Sequence, residues 1–390
     1  MTGGWIPAER YAERLAAARR GTAAAGLDAL LVGVGADLRY LAGYAAMPLE
    51  RLTLLVVPAV DGAPLTLIAP RLEATPARSC PAVTTGAVTV ATWEETEDPM
   101  ALVASVVAGA LGRDAASVGA VAVSDGLRAA FLLGLQRVLP GARFSLASAV
   151  LRSIRMRKDD DEVALLRAAA HAADRVVAAV ASGPLVGRTE EEVAREVRER
   201  LVAEGHDAAS FWIVASGPNS ASPHHEPGSR VIGAGEAVVI DIGGTIGGYG
   251  SDITRTIWVS GDDPAVAPHP EFLALYDVLR DAQAAATSVV RPGLACEVID
   301  ATARERIAAA GFGPFFFHRT GHGIGLEGHE DPYIVAGNAE PLATGMAFSV
   351  EPGIYLEGRF GARIEDIVVC GDDGPIVLNE LTRELLVVRG

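Results

Sequence analysis

The sequence predicts an α/β (α+β) protein with two domains, at residues 1–155 and 156–390. Its 390 residues exceed what a single hydrophobic core usually supports, which favours two domains. Residues 7–148 alternate helical and strand-like segments, an order typical of an α/β domain with a mixed sheet. Residues 160–371 contain a duplicated unit instead, which predicts two pseudo-symmetric halves around a curved antiparallel sheet.

The first domain begins with a predicted helix at Pro7–Ala25, which is rich in Ala, Glu and Arg and is followed by a glycine. Further helices are predicted at Pro99–Leu111 and Leu127–Leu139. Gly33–Gly35 follows the first predicted strand, but a dinucleotide-binding G-x-G-x-x-G motif is excluded because position 38 is Leu38. The predicted strands are Ala29–Val32, Leu52–Val57, Leu65–Ala69, Val88–Thr92 and Val118–Val123.

A charged run marks the predicted boundary between the domains. Arg152–Lys158 is mostly basic, and four acids follow it at 159–162. Acids at the start of a helix interact favourably with the helix dipole. A helix is therefore predicted from residue 160 to Ala181.

Composition and charge exclude several classes of protein. The formal net charge is -16, from 33 basic and 49 acidic residues, which argues against nucleic-acid and anionic-membrane partners. The 3 cysteines form no C-x-x-C pair, so neither a disulfide framework nor a zinc knuckle is indicated. The N-terminus has no signal-peptide pattern, and no apolar stretch reaches the roughly 20 residues of a membrane helix. A cytoplasmic protein without nucleic-acid or membrane partners is expected.

The duplication in the second domain covers residues 160–261 and 271–371, and each copy is predicted to be a helix–helix–hairpin unit. Arg198–Gly205 recurs 106 residues later, and Gly235–Gly243 recurs 110 residues later. Such a period is too long for a solenoid and indicates two halves of one domain. The two hairpins are expected to face each other across a central cleft.

Each copy of the hairpin carries two acids between apolar residues. Asp241 and Asp252 lie in the first copy, eleven residues apart, and Glu351 and Glu365 lie in the second copy, fourteen apart. An isolated carboxylate is unfavourable to bury, so such an acid normally has a compensating partner. A hairpin can bring two acids onto one face of neighbouring strands, close enough to share ions.

Metal ions are the partners that these acids predict. Gly321–Glu330, between the two acid-bearing hairpins, adds the imidazole of His322. Carboxylates with one imidazole suit Mn²⁺, Co²⁺, Fe²⁺ or Zn²⁺, and no thiolate is present to force zinc. Two divalent cations would neutralise four carboxylates, and two ions roughly 3.5–4 Å apart could hold a bridging hydroxide and polarise a substrate carbonyl. The sequence thus predicts a dinuclear metallohydrolase that cleaves an amide or a similar bond.

Other histidines are candidates for contact with the substrate. His224 and His225 lie in the loop before the first hairpin, where a side chain could point into the cleft. His318 precedes His322 by four residues, and His329 follows it by seven. Of these, His225 is expected to be solvated. No role is predicted for His171, His206 or His269.

Taken together, these motifs resemble those of the Xaa-Pro peptidases, a group that includes prolidase and aminopeptidase P. The group belongs to the pita-bread metallopeptidases, together with methionine aminopeptidases and creatinase. The resemblance is strong over residues 160–390 and extends in pattern to 1–150, where it implies a creatinase-like N-terminal domain. The matching motifs are Pro-His-His (223–225), Ile-Asp-Ile-Gly-Gly (240–244), Ser-Asp-Ile-Thr-Arg-Thr (251–256), the Gly-His-Gly run (321–330), Val-Glu-Pro-Gly-Ile-Tyr (350–355) and Arg-Ile-Glu-Asp (363–366).

The resemblance implies metal-dependent hydrolysis of the Xaa-Pro bond, in dipeptides or at the N-termini of peptides. Mn²⁺ is the first expectation for both ions, with Co²⁺, Zn²⁺ or Fe²⁺ as alternatives. The family pattern would place Asp241 on one metal and His322 with Glu351 on the other. Asp252 and Glu365 would bridge both metals.

Further roles around the metals follow from the same resemblance. His224 and His329 would position the substrate and stabilise the tetrahedral intermediate, and Glu351 would shuttle protons. His318 and Arg363 match positions near the substrate or in support of the site. In relatives the N-terminal domain helps to close the active site of a neighbouring subunit, which implies a homodimer.

Alternative functions stay open at this point. The same metal site could serve a related hydrolase that acts on a small non-peptide amide. Creatinase works without metal and methionine aminopeptidases usually lack a domain like residues 1–150, so neither is favoured. A binding module that has lost its ligands is disfavoured because all five predicted ligands are present. Gly328 stands where relatives commonly carry a larger apolar residue, which leaves the pocket shape and the substrate open.

Overall fold

The computed structural model describes residues 6–263 and 266–388. It divides into two compact units, one ending at Arg155 and the other beginning at Met156. Among the described residues, no helix combines the length and the apolar character needed to cross a membrane.

The first unit contains a six-stranded sheet and helices that pack on it. Its strands are β1 (Ala29–Gly33), β2 (Leu54–Pro58), β3 (Thr66–Pro70), β4 (Thr89–Trp93), β5 (Ala120–Val123) and β6 (Arg143–Leu146). Its helices are α1 (Ala8–Ala24), α2 (Ala36–Ala42), α3 (Ala74–Ser79), α4 (Pro81–Thr84), α5 (Pro99–Leu111), α6 (Ala129–Val138) and α7 (Ser148–Arg155).

The sheet of the first unit is mixed, as predicted. Its strands follow the order β4-β3-β2-β1-β5-β6. The β1–β2 and β2–β3 pairs are antiparallel, whereas the other neighbours are parallel. The five predicted strands and three predicted helices are all present. The short elements α2, α3, α4, α7 and β6 were not predicted. Strand β6 is mostly exposed, so it lacks the apolar pattern that reveals a strand.

The second unit contains four helices and twelve strands among its described residues. Its helices are α8 (Asp160–Ala181), α9 (Glu190–Ala203), α10 (Pro270–Ser288) and α11 (Cys296–Ala309). Its strands are β7 (Ala208–Ser216), β8 (Glu236–Ile246), β9 (Tyr249–Gly250), β10 (Ile253–Val259), β11 (Gly321–Gly323), β12 (Glu330–Ile334), β13 (Ala347–Val350), β14 (Gly353–Leu356), β15 (Phe360–Arg363), β16 (Asp366–Cys370), β17 (Pro375–Val377) and β18 (Leu386–Val388).

The two predicted halves are present, and each has its own core. Helices α8 and α9 share one buried apolar cluster with β8 and β10, and α10 and α11 share another with β13 and β16. One five-stranded sheet has the order β18-β10-β8-β7 with β9 beside β8, and the other has the order β12-β11-β13-β16-β17. Strands β14 and β15 form a separate hairpin, and among the described strands of this unit only β10 and β18 pair in parallel.

Helix α8 begins where the acidic run predicts it. The side chain of Asp159 accepts a hydrogen bond from the backbone N–H of Glu162, and the Glu162 side chain accepts one from the backbone N–H of Asp159. Such a reciprocal cap satisfies two donors that a helix leaves unpaired at its start. Thr189 and Glu192 form the same cap on α9.

The two halves meet at a seam between β10 and the segment containing β15 and β16. Arg255 of β10 is 1% exposed, and its Nη2 lies 2.7 Å from Oδ1 of Asp366. Its Nη1 donates to the carbonyl of Glu365 at 2.6 Å. Thr256 Oγ1 donates to the carbonyl of Arg363 and accepts from its N–H, both at 3.0 Å. These buried polar contacts fix the register of one half against the other.

Replacing Asp366 with Ala should therefore destabilise the second unit strongly. Removing one partner of a buried ion pair leaves the other charge uncompensated, and we expect a loss of about 3–5 kcal/mol in the free energy of unfolding. Denaturant unfolding with a chelator present measures this loss without a contribution from metal. Asp277→Ala is the control because Asp277 pairs with Arg280 at the surface, with 61% of its side chain exposed. Equal stability of the two variants would contradict a structural role for the seam.

Candidate metal centre

A cavity of about 790 Å³ opens beside the seam of the second unit. Carboxylates, imidazoles and aromatic side chains line it. All nine residues that the sequence predicts for the site line this cavity: His224, Asp241, Asp252, His318, His322, His329, Glu351, Arg363 and Glu365.

The first pair of acids lies on one face of the β8–β10 hairpin. Asp241 of β8 stands opposite Thr254 of β10. Asp252 precedes Thr254 by two residues, and side chains two apart along a strand share a face. Both acids are buried, at 7% and 4% exposure.

The second pair of acids occupies a break in the strand pairing. Pairing of β13 with β16 stops at Val350 and Asp366, and pairing of β14 with β15 begins at Gly353 and Arg363. Glu351 and Glu365 lie in this gap. Their N–H groups instead donate across the molecule, to the carbonyls of Thr320 at 2.7 Å and Thr254 at 3.1 Å.

His322 reaches the acids because glycines flank it in β11. A Cβ atom at Gly321 would lie 1.9 Å from the carbonyl oxygen of Ser349. A Cβ atom at Gly323 would lie 2.2 Å from that of Asp331. Only glycine allows this close approach of the backbones, which places the His322 ring beside the carboxylates.

The imidazole of His322 faces three of the four carboxylates. Its Nε2 lies 3.2 Å from Oε1 of Glu351 and 3.6 Å from Oδ2 of Asp252. Asp252, His322 and Glu365 each offer one ligand atom, and these atoms lie within 4.8 Å of one another. Such a group of buried oxygen and nitrogen donors has the size of a cation site.

Asp241 adds an oxygen that none of the described residues satisfies. Its Oδ2 lies 2.5 Å from Nη2 of Arg363. Its Oδ1 is buried and has no hydrogen-bond partner among the described residues. A buried, charged oxygen without a partner is strongly unfavourable. A cation at this position would satisfy it, so the donor set fits a bound metal.

The pKa values of the clustered acids reflect an excess of negative charge at the site. Burial, together with repulsion from Asp241, raises the pKa of Asp252 well above its ordinary value. Burial, together with repulsion from Asp252, does the same to the pKa of Glu365. Burial alone would raise the pKa of Glu351, but the hydrogen bond and charge of His322 hold it at about 2. Burial alone would lower the pKa of His322, but the contact with Glu351 raises it.

A chain of hydrogen bonds links His318 to Asp241. The ring nitrogens of His318 contact the carbonyl of Arg319 through Nδ1, at 2.7 Å, and the hydroxyl of Tyr355 through Nε2, at 2.9 Å. The Tyr355 oxygen in turn accepts from Nη1 of Arg363 at 2.9 Å. Because a carbonyl only accepts, Nδ1 of His318 carries the proton and Nε2 accepts one from Tyr355. Burial lowers the pKa of His318, which keeps the ring neutral.

His329 lies directly over the predicted ligand His322. The centroids of the two rings are 3.8 Å apart. Burial and the neighbouring charges of His322 and Arg319 lower the pKa of His329 to about 4. Its Nδ1 lies 3.4 Å from Nη2 of Arg319, a donor, so Nε2 bears the ring proton. His329 is thus a neutral donor at the cavity.

The apolar wall of the cavity was missed in the sequence. Phe211 and Ile213 of β7 stand opposite Gly243 and Asp241 of β8, so they line the cavity. Strand β7 was not predicted from the sequence, so its contribution to the cavity wall was not predicted either. Phe317 also lines the cavity, with 64% of its surface exposed.

His225, His206 and Gly328 lie outside the set of residues that line the cavity. His225 is paired with Glu190 at 2.7 Å and is not simply solvated. His206 is buried against Ser251, in keeping with a structural role. A Cβ atom at Gly328 would meet no atom within 4 Å, so the position is open.

Two known protein families match the chain, one for each unit. Residues 164–372 match metallopeptidase family M24, and residues 14–157 match the creatinase/prolidase N-terminal domain. The chain belongs to metallopeptidase family M24 and is a peptidase. The predicted fold, a creatinase-like domain followed by a pita-bread domain, is confirmed.

Two relatives and one solved structure are similar to the chain over more than nine tenths of its length. The chain is 47% identical over 382 residues to the probable dipeptidase PepE of Mycobacterium tuberculosis, covering 98% of this chain and 97% of the relative. It is 32% identical over 373 residues to the Xaa-Pro dipeptidase of Lactobacillus delbrueckii subsp. lactis, covering 93% and 95%. The crystal structure of dipeptidase PepE from Mycobacterium ulcerans has a TM-score of 0.90 at 47% identity, covering 99% of this chain and 100% of that one.

The raised carboxyl pKa values predict how the metal-free protein responds to pH. Asp252 and Glu365 hold protons more tightly in the folded than in the unfolded chain. Their contribution to stability is therefore complete below the ordinary carboxyl pKa and is lost as the pH rises through the folded-state pKa. In chelator, the melting temperature should fall as the pH rises above the ordinary carboxyl pKa.

Asp252→Asn provides the comparison because it removes one of the two carboxyls. We expect the melting temperature of this variant to depend less on pH than that of the wild type, again in chelator. The opposite trend, with the metal-free wild type gaining stability over this range, would contradict the repulsion within the cluster.

Proposed function

We propose that this chain is a metal-dependent Xaa-Pro dipeptidase. The observation that carries the proposal is the cluster of four carboxylates and one imidazole in the cavity, in which one oxygen of Asp241 has no partner among the described residues. The full-length relatives named as dipeptidase and Xaa-Pro dipeptidase support the substrate class. Hydrolysis of a small non-peptide amide is not favoured, because these relatives are peptidases.

Five residues would hold two divalent cations: Asp241, Asp252, His322, Glu351 and Glu365. We propose Mn²⁺ as the first choice, with Co²⁺, Zn²⁺ or Fe²⁺ as alternatives, because the donors are hard oxygens and one imidazole. The three cysteines are buried and do not line the cavity. When bound, such cations polarise a substrate carbonyl and lower the pKa of a water molecule.

The remaining cavity residues would act on the peptide. His329 is a neutral donor and His224 also lines the cavity, so both could donate hydrogen bonds to the carbonyl oxygen as it gains charge. Glu351 would take up a proton and pass it to the leaving amine. Its pKa of about 2 arises from contact with protonated His322 and would rise once that imidazole is neutral.

Arg363 and His318 would have supporting and substrate-binding roles. Arg363 donates to Asp241, Tyr355 and the carbonyl of Pro223, so it would orient Asp241 and hold the cavity wall. Both ring nitrogens of His318 are engaged, so it would contact the peptide through the ring edge.

Arg319 supports a dipeptide as the substrate. It lines the cavity, its guanidinium lies 4.5 Å from the Tyr333 ring centroid, and no carboxylate pairs with it among the described residues. Two divalent cations would balance the four acids, so the loaded cavity would keep the positive charges of Arg319 and Arg363. A dipeptide carries a free carboxylate close to its scissile bond, which such a cavity attracts.

The roles of the domains, the cellular location and the oligomeric state are also part of the proposal. Residues 156–390 would be the catalytic domain and residues 1–155 the creatinase-like domain of a cytoplasmic homodimer. The net charge of -16 supports the absence of nucleic-acid and anionic-membrane partners.

The first experiment measures proline release from an Xaa-Pro dipeptide and from an Xaa-Pro-Yaa peptide, with Mn²⁺ or Co²⁺ and with chelator. We expect metal-dependent cleavage and a preference for the dipeptide. Asp252→Asn should lower the turnover by at least about 100-fold, because the ligand set is incomplete, while circular dichroism stays unchanged. Asp281→Asn is the matched surface control, with 72% of the side chain exposed. Metal binding without cleavage of either peptide would refute the substrate assignment.

A second experiment compares a dipeptide with its C-terminal amide, to test the charge of Arg319. For Arg319→Gln we expect KM for the dipeptide to rise by about tenfold, the value of one hydrogen-bonded charge contact, with little change for the amide. Arg306→Gln is the control because Arg306 is exposed on α11 and lies outside the cavity. Equal changes for both substrates would mean that Arg319 does not contact the carboxylate.

A further inference from the structure

Residues 217–228 form a loop that contains His224 and is hydrogen-bonded to a buried acid outside the cavity. Glu190, at the start of α9, is 0% exposed. Its Oε1 accepts hydrogen bonds from the backbone N–H and the hydroxyl of Ser216, both at 2.7 Å, and from Nδ2 of Asn219 at 3.0 Å. Its Oε2 accepts from Nε2 of His225 at 2.7 Å. One carboxylate thus holds both ends of the loop.

The Glu190 carboxylate is ionised despite its burial. Burial alone would raise its pKa, but the hydrogen bonds from Ser216, His225 and Asn219 hold the pKa below its ordinary value. Hydrogen bonds to an ionised acceptor are about twice as strong as neutral ones. The contact with His225 is therefore a firm anchor for the backbone of the loop.

A second anchor lies on the other side of His224. Nη2 of Arg363 donates to the carbonyl of Pro223 at 3.3 Å, and the hydroxyl of Ser220 accepts from the N–H of Gly361 at 2.8 Å. His224 thus lies between two anchored neighbours.

The side chain of His224 has no anchor of its own. It lines the cavity from an exposed position, and it makes no hydrogen bond to another side chain or backbone group in the described ranges. A side chain that no contact restrains samples several rotamers. The direction of the His224 ring is therefore set by the backbone, through Pro223 and His225.

We infer that Glu190 and His225 are positioning residues, which aim His224 at the scissile bond without touching the substrate. Neither of them lines the cavity. Misplacement of a catalytic group by about 1 Å can lower a rate by about 100-fold, so a firm loop has a large effect. This inference rests on the proposed function, because it assigns His224 to the reaction with the peptide.

The test uses the metal-loaded full-length protein and two substitutions of His225. His225→Ala removes the donor, and we expect kcat/KM for an Xaa-Pro dipeptide to fall by about 10- to 100-fold. The side-chain amide of His225→Gln can still donate to Glu190 and should restore most of the activity. His171→Ala is the control, since His171 lies outside the cavity and is half-buried beside Glu380. Equal losses in the Ala and Gln variants would overturn the inference.

A double-mutant cycle separates positioning from a general structural effect. If His225 acts through His224, the double variant His224→Ala/His225→Ala should be no slower than His224→Ala alone. Losses that multiply in the double variant would show that His225 does not act through His224, and would overturn the inference.

Amide hydrogen exchange provides a readout that does not need activity. We expect faster exchange in residues 217–228 for His225→Ala and wild-type exchange for His225→Gln, with no change at the hairpin of β8 and β10. Unchanged exchange in the Ala variant would overturn the anchor. If the wild type cleaves no Xaa-Pro peptide, the proposed function fails, and the exchange result still decides whether Glu190 holds the loop.

Discussion

Repulsion among four carboxylates, three of them buried, is the constraint on which the second unit depends. The chain compensates this repulsion in three ways. Arg363 pairs with Asp241, the proton of His322 compensates Glu351, and Asp241, Asp252 and Glu365 bind protons more tightly than usual. One oxygen of Asp241 still has no partner among the described residues, and protons serve where divalent cations would serve better. The same excess of charge that opposes folding thus prepares the cavity for metal.

The acids come from two half-domains, so the centre exists only when the halves are joined. The buried contacts of Arg255 and Thr256 across the seam hold β10 against the segment that bears Glu365. Thr254 contributes both to the seam and to the metal centre. It stands opposite Asp241, and its hydroxyl donates to Glu365 of the other half at 2.6 Å. Packing and chemistry therefore share the same residues, and a change in one is expected to alter the other.

Much of this arrangement could be predicted from the sequence, because it depends on local patterns. The four acids stand out against apolar neighbours, and the recurrence of the Gly235–Gly243 segment after 110 residues reveals the two halves. The start of α8 follows from its acidic first turn. Strand β7 was missed because its outer residues are partly exposed and its apolar run is interrupted. The contacts of Glu190 and Arg363 join residues as far as 140 apart in the sequence, and no local pattern records such pairs.

The unsatisfied oxygen of Asp241 has a consequence for the lifetime of the protein as well as for its reaction. A ligand that binds only the folded chain raises the folded population in proportion to its free concentration. Molecules that open are removed by proteases, so a marginal change in stability becomes a change in abundance. Scarcity of the cation would then reduce the number of enzyme molecules as well as the activity of each one, and the amount of enzyme would follow the supply of the ion.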